Sequence, residues 1–351
     1  MTDPDSDPAL DSGFDLEFAR VASAFAVAVV LLAVLVGAFG WEDVLLAAAR
    51  ADLAIYAIGF AAMIGCLSLR GVVWDRILES SGYDGAFPPV LGLYLATRFA
   101  KYVTPYGQVV APPGVAYVLT QRSSVEYEEG LAAIVGGIFV NYLPYYTFGG
   151  FGLAYLLLYW RVAGSLWTYA VAFLATIAAV VVVAALLWFR RDAVETVLLA
   201  ALSPVRSALE RIRPSLADPL RPEPVRNRLD GFYRTLETIS ADRTTLLAVL
   251  VIGHLAWFLF ALPLYLTALA MGEAVPLALA ILVVALSKVG FVAPTPGGLG
   301  GVELTIAGVL ALLAPVDAAT AFAIGLLYRV VAYWLAVVVG GIAAIALSLW
   351  W

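Results

Sequence analysis

Cysteine, histidine and lysine are almost absent from this chain of 351 residues, which has one Cys (Cys66), one His (His254) and two Lys, Lys101 and Lys288. A single thiol in an apolar run excludes a disulfide framework and a thiolate metal cluster, and Cys66 is expected to be an inert small hydrophobe. A lone His254 leaves a histidine-based metal site without its usual ligands. No Ser/His/Asp or Cys/His set, no pair of intramembrane acids and no GxxxxGK[ST] loop is present, so no catalytic residue, metal or cofactor is expected. Charge is scarce as well, at 13% of residues against about 25% in soluble domains. With a net charge of −6 and no basic run, nucleic-acid binding is excluded as a main task.

What fills the chain instead is apolar: 63% hydrophobic residues and a mean hydropathy of +0.95. That composition predicts an all-α, polytopic helical membrane protein with about six to eight transmembrane helices. Six acids fall in the first 17 residues, so 1–18 reads as an acidic disordered tail. The acidity and the shortage of lysine fit a halophile, or equally a GC-rich genome. Helix 1 is expected at 20–40, helix 2 at 52–72 with Arg70, Trp74, Asp75 and Arg76 as an interfacial anchor, and further helices at 164–189 and 245–270. Residues 130–160 form one long apolar segment interrupted by Pro144, and 318–351 form a long final run.

Two stretches are too broken to span. A hydrocarbon core of ~30 Å needs about 20 helical residues, yet 88–104 carries Arg98 and Lys101 and 108–120 contains Pro-Pro-Gly. A broken hairpin over 88–121, with Thr104–Gln108 at its tip, is therefore expected to be re-entrant. The same order of short piece, break and short piece recurs over 276–314, where SKVGFVAPTPGGLGGVE (287–303) holds two prolines and five glycines between Lys288 and Glu303. Sliding the chain by 191 residues brings Pro105 onto Pro296, Gly107 onto Gly298 and Tyr142 onto Tyr333, which suggests a duplication.

Between the halves, 190–243 holds ten of the twenty basic residues. Arginines in a loop of this length favour the cytoplasm. The chain then divides into a membrane half at 19–189, a cytoplasmic Arg-rich loop at 190–243, with a short surface helix such as 194–211, and a second membrane half at 244–351. Counting helices from that loop makes the two hairpins open to opposite sides, as in inverted-repeat transporters.

Ionisable groups inside a membrane are functional candidates by default. Arg98 and Lys101 share a helical face edged by Tyr94 and Tyr102, Arg329 and Tyr333 repeat that spacing, and Lys288 adds a fourth cation against the single acid Glu303. The excess favours an anionic ligand. In the competing reading Arg98 and Lys101 snorkel to the interface and Arg329 simply pairs with Glu303. Gly297, Gly298 and Gly300, behind Pro296, would bring backbone close to a ligand, and a half-helix starting near Gly300 would offer it free N–H groups. The bland alternative gives the glycines to helix packing and Glu303 to a cap. Asn141, with Tyr142, Tyr145 and Tyr146, could line the same cavity or bond between helices.

PTPGGLGGVE, the apolar helix after it, Val316-Asp317 and LLYRVVAYW with Arg329 together resemble the lysylphosphatidylglycerol synthase transmembrane, or flippase-like, family. Arg70 with Trp74 and the Pro105–Gly107 break fit its first half, although TPYGQ stands where the stronger motif would be. The resemblance implies a flippase-like transporter of an anionic lipid, a phospholipid or a polyisoprenyl-phosphate-linked head group, in the cytoplasmic membrane. It implies neither synthesis nor glycosyl transfer, so the chain is not expected to be an enzyme. The alternative is a non-transporting scaffold or accessory partner of a lipid-linked glycosyltransferase. The substrate-binding set expected on these grounds is Arg98, Lys101, Tyr102, Pro105, Asn141, Lys288, Pro296, Gly297, Gly298, Gly300, Glu303, Arg329 and Tyr333.

Overall fold

The protein is described from a computed structural model that covers residues 30, 32–80, 82–104, 107, 115–120, 126–159, 165–212, 218–293 and 295–350. Its regular structure is helical: α1 Leu32–Phe39, α2 Trp41–Ala49, α3 Leu53–Ser80, α4 Phe87–Val103, α5 Tyr127–Tyr159, α6 Ser165–Phe189, α7 Arg191–Ile212, α8 Pro222–Ala241, α9 Arg243–Ala270, α10 Leu277–Leu286, α11 Gly301–Leu313, α12 Ala318–Arg329 and α13 Leu335–Trp350. Among the described residues, five helices are long and apolar enough to cross a membrane, or six if the pair α1–α2, bent by 90°, counts as one span. Apolar side chains also cover the outside: Val338, Ile342, Ile345 and Leu349 form an exposed stripe down α13. A helix apolar on both its packed and its outer face belongs in lipid. The all-α polytopic class is the one expected, and the chain is a multi-pass membrane protein. The acidic tail at 1–18 lies outside the described residues.

Boundaries repeat along the chain. α3 and α9 each have 28 residues, with starts at Leu53 and Arg243 and ends at Ser80 and Ala270. α4 begins at Phe87 and α10 at Leu277; α5 runs Tyr127–Tyr159, while α12, a π-helical turn at Val330–Trp334 and α13 together run Ala318–Trp350. The offset is 190 residues for the first two pairs and 191 for the third. Packing repeats with it. α3 lies on α9, α4 packs on α13 while its counterpart α10 packs on α5, and α2 packs on α12 while α8, the counterpart of α1–α2, packs on α5. Contacts that exchange partners in this way are those of two copies of one unit related by an approximate twofold axis.

The helix caps are duplicated too. Asp52 Oδ1 accepts from the N–H groups of Ala54 and Ile55 at 2.8 and 3.2 Å, and Asp242 Oδ1 accepts from Thr244 and Thr245 at 3.1 Å each. Asp317 caps α12 through the Thr320 N–H at 3.0 Å. Hydrogen bonds from Thr245 and Thr320 hold the Asp242 and Asp317 carboxyls below the usual carboxylate range. A carboxyl whose pKa is lower folded than unfolded stabilises the fold above its unfolded value, about 3.9, and that contribution disappears as pH falls through the folded value. Wild-type protein should therefore lose thermal stability between pH 5 and pH 3 (about one unit either side of the free carboxyl value) more steeply than Asp242→Ala or Asp317→Ala. Melting curves at the two pH values measure the difference.

Several boundaries differ from those expected. α3 does not stop at 72 but continues to Ser80, because Val73, Ile77 and Leu78 extend its buried stripe. Arg70, Trp74 and Asp75 are consequently buried, and of the expected interfacial anchor only Arg76 is exposed, paired with Glu79 at 2.9 Å. α5 carries Pro144 without a break. The stretch 190–243 is two helices rather than a loop: α7 extends the helix expected at 194–211, and α8 packs on α5 as part of the second repeat.

Small residues let the helices approach closely. A Cβ on Gly340 would sit 3.0 Å from the Phe99 Cβ where α13 crosses α4, and one on Gly59 would sit 3.6 Å from Pro263 where α3 meets α9. Without a hydrophobic drive between helices in lipid, such packing supplies much of the association energy.

Candidate functional site: a cationic cavity between the two repeats

At the meeting of the two repeats lies a cavity in two compartments. The inner one, about 100 Å³, is bounded by Arg70 of α3, Arg98 and Lys101 of α4, Tyr142 of α5, Trp257 of α9 and Lys288 after α10. The outer one, about 330 Å³, shares Lys101, Gly107, Tyr142 and Lys288 with it and is completed by Thr104, Phe291, Thr295, Gly297 and Gly298. Both lysines of the chain stand at the junction. Arg98 and Lys288 are one repeat apart, as are Arg70 and Phe260, whose ring lies 4.9 Å from the Arg70 guanidinium.

None of the four cations has a carboxylate. No Asp or Glu is among the described residues that line either compartment. Arg98 donates to the Tyr102 hydroxyl and lies 4.6 Å from that ring's centre. Lys101 Nζ reaches the Tyr142 hydroxyl at 3.5 Å. Lys288 Nζ rests 5.1 Å from the Phe260 ring and 5.0 Å from Phe291. Aromatic faces attract a cation without neutralising it. The Nε atoms of Arg70 and Arg98 and the Asn141 amide oxygen are buried without a hydrogen-bond partner among the described residues, although the Asn141 amide nitrogen donates to the Gly137 carbonyl at 2.8 Å. Arg98 and Lys101 both line the inner compartment, so the competing reading, in which they snorkel to the interface, does not hold.

Arg329 sits apart from these four. Its Nε donates to Glu303 Oε1 at 2.9 Å and its Nη2 to the Gly297 carbonyl at 2.8 Å, and its guanidinium lies 4.3 Å from the Tyr333 ring centre. With side chains 5% and 1% exposed, Arg329 and Glu303 form a closed ion pair. The second oxygen of Glu303 accepts from the Gly300 N–H at 2.8 Å. That carboxylate thus occupies the start of α11, where free N–H groups were expected to meet a ligand; an acid three residues past the N-cap reaches back more cheaply than any external anion. Arg329 likewise donates to Glu303 and to the Gly297 carbonyl, so it braces the second hairpin from within and is not among the residues that line either compartment.

Glycine is required where the second hairpin is tightest. Gly297 has φ of 58°, and a Cβ there would overlap the Tyr333 ring. A Cβ on Gly290 would enter the backbone of Gly301 and Val302. Pro296, also buried, opens the turn. Tyr333 donates to the Tyr102 carbonyl at 3.3 Å and packs on the Tyr102 ring, tying the second hairpin's support to the first. Pro105 lies outside the described residues, as do Tyr106 and Gln108 of the expected hairpin tip.

Of the expected set, Arg98, Lys101, Asn141, Lys288, Gly297 and Gly298 line the cavity, Tyr102, Tyr333 and Pro296 support it, and Gly300, Glu303 and Arg329 form the buried bonded cluster beside it. Arg70, Trp74 and Trp257 also line it and were not expected. Their signal was the Arg70/Trp74 spacing of one helical turn inside an apolar run. The lone His254 is structural, bonded to the Leu250 carbonyl at 2.7 Å and to Thr147 at 3.0 Å. No cluster of three or more His, Cys, Asp or Glu that could hold a metal occurs among the described residues.

No curated protein matches the chain. A family model does, that of the lysylphosphatidylglycerol synthase TM region, and it aligns with residues 21–340, which include the stretches 88–121 and 276–314, the cavity-lining residues and the Arg329–Glu303 ion pair. The match is to the membrane region and brings no synthase domain with it. By that coverage the chain belongs to the lysylphosphatidylglycerol synthase TM region family.

Proposed function

We propose that the chain is a flippase-like carrier of an anionic lipid in the cytoplasmic membrane. The observation that carries this reading is the cavity of Arg70, Arg98, Lys101 and Lys288 with no acid to balance it. A buried cation without a counter-charge is destabilising by several kcal/mol, so such a cluster persists where an anion arrives to neutralise it. The setting suits movement. α4 and the Pro/Gly break at 296–301 meet at the cavity from opposite repeats, and a π-helical turn, a form frequent at functional sites, follows Arg329 immediately. With the Arg-rich segment 190–243 in the cytoplasm, α6 leads into it and α9 leads out, which makes the repeats inverted and opens the hairpins to opposite sides. The Arg329–Glu303 pair then acts as the latch of the second hairpin.

A scaffold for a lipid-linked glycosyltransferase is favoured by one feature, an open polar cleft of about 780 Å³ between the start of α5 and α8, lined by Glu126, Glu129, Arg228 and Arg234. The two readings part at α7. This helix makes few contacts with the rest of the bundle, whereas α8 is part of the second repeat. Replacing α7 by a flexible linker should leave lipid movement in proteoliposomes within about twofold of wild type, a loss too small to reflect a lost binding contact. No lipid movement by the wild-type chain in vesicles, together with loss of function in cells when α7 is replaced, would favour the scaffold.

A further inference from the structure

Resting on the lipid-carrier reading, the same cavity says what kind of head group it accepts. Its inner compartment holds four cations, no acid, and room for little more than a small polar group. A phosphodiester, as in common bilayer phospholipids, brings one negative charge and two free oxygens. A terminal phosphoryl group brings up to two charges and three strong acceptor oxygens. Donors are waiting for them: the unpartnered Nε of Arg70 and of Arg98, the Lys101 ammonium with only a long contact to Tyr142, and the Lys288 ammonium with aromatic neighbours alone.

An amine in the head group finds no charge to balance it. A carboxylate would hold an ammonium best, but the described lining residues include none, and several of the rings beside the cavity already lie against the protein's own cations. Phe260 lies under Arg70 and Lys288, Phe291 under Lys288, Tyr102 under Arg98 and Tyr142 beside Lys101. An added positive charge would meet four like charges. The mouth, in contrast, is apolar: the outer compartment is rimmed by Phe291, Val292 and Ala293, and Val292 is 80% exposed. An acyl or prenyl tail can leave the cavity there while its phosphate stays inside.

We infer that this cavity selects a lipid ending in a phosphoryl group, a phosphomonoester or diphosphate, and rejects head groups that carry an amine. The test measures binding to the full chain in detergent by thermophoresis, with farnesyl phosphate, farnesyl diphosphate, phosphatidylglycerol, lysyl-phosphatidylglycerol and inorganic pyrophosphate as probes. The two prenyl phosphates should bind about tenfold or more tightly than phosphatidylglycerol, a gap of about 1.4 kcal/mol, and lysyl-phosphatidylglycerol should not compete. Arg98→Gln and Lys288→Gln, each checked for a monodisperse folded state, should reduce the gap. Pyrophosphate binding as tightly as farnesyl diphosphate would overturn the lipid assignment in favour of a soluble phosphate. Equal affinity for phosphatidylglycerol and farnesyl phosphate, lost in Arg98→Gln, would overturn the inference while leaving the anionic-lipid carrier standing. Failure of every anion to bind would overturn both.

Discussion

Lys288→Met should yield a protein that melts at a higher temperature than wild type and has lost its affinity for anionic lipid. Lys288 has no acid near it, and its ammonium is surrounded by Phe260, Phe291 and three other cations. Removing one charge from an uncompensated cluster relieves both its desolvation and its repulsion, and replacing buried charge by an apolar side chain of similar size can stabilise by about 1–4 kcal/mol. Function moves the other way, because a charge-assisted contact to the head group contributes about 1.5–3 kcal/mol, or roughly tenfold to a hundredfold in affinity. Thermal melting and lipid binding on the same preparation separate the two effects. A cation that served only the fold would lower both stability and binding when removed.

The opposite sign is expected at the latch. Glu303→Gln leaves Arg329 charged and buried without its partner, and Arg329→Met leaves Glu303 so; breaking a buried pair from one side costs about 3–5 kcal/mol. Arg329→Ala, which the sequence alone would make a clean test of ligand binding, is therefore expected to destabilise strongly, since it also empties the space against Tyr333 and frees the Gly297 carbonyl. The double change Glu303→Gln with Arg329→Met should recover most of the loss, because no charge is then stranded. Chemical denaturation of the two single variants and the double variant gives the coupling energy directly. Near-additive losses would show that the pair is not coupled.

Much of this arrangement was legible in the sequence because it follows from length and charge. Helices of 28 and 33 residues, breaks at Pro and Gly, and a handful of intramembrane cations are properties of single segments. The 191-residue slide found the repeat from Pro105/Pro296 and Tyr142/Tyr333, and the helix boundaries repeat at nearly the same offset. What depended on three-dimensional contact was harder to see. Arg70 looked like an interfacial anchor because the apolar run seemed to end at 72, yet Ile77 and Leu78 carry the helix about two more turns and place Arg70 in the cavity. Arg329 reads in the sequence either as one of four equivalent cations or as the partner of Glu303, and only folding decides between them, by bringing Glu303 to 2.9 Å. Spacing along one helix cannot tell which cation will find the single acid contributed by another.

The central claim is that four unbalanced cations bind and move an anionic lipid, and transport measures it most directly. Purified protein in proteoliposomes carrying a fluorescent anionic lipid in one leaflet should equilibrate that lipid between leaflets. Arg98→Gln and Lys288→Met, folded and at least as stable as wild type, should be slower by about a hundredfold, as expected for losing about 2.7 kcal/mol of head-group interaction in the carrier. Wild-type rates in both variants, or equal rates for a cationic lipid, would contradict the account.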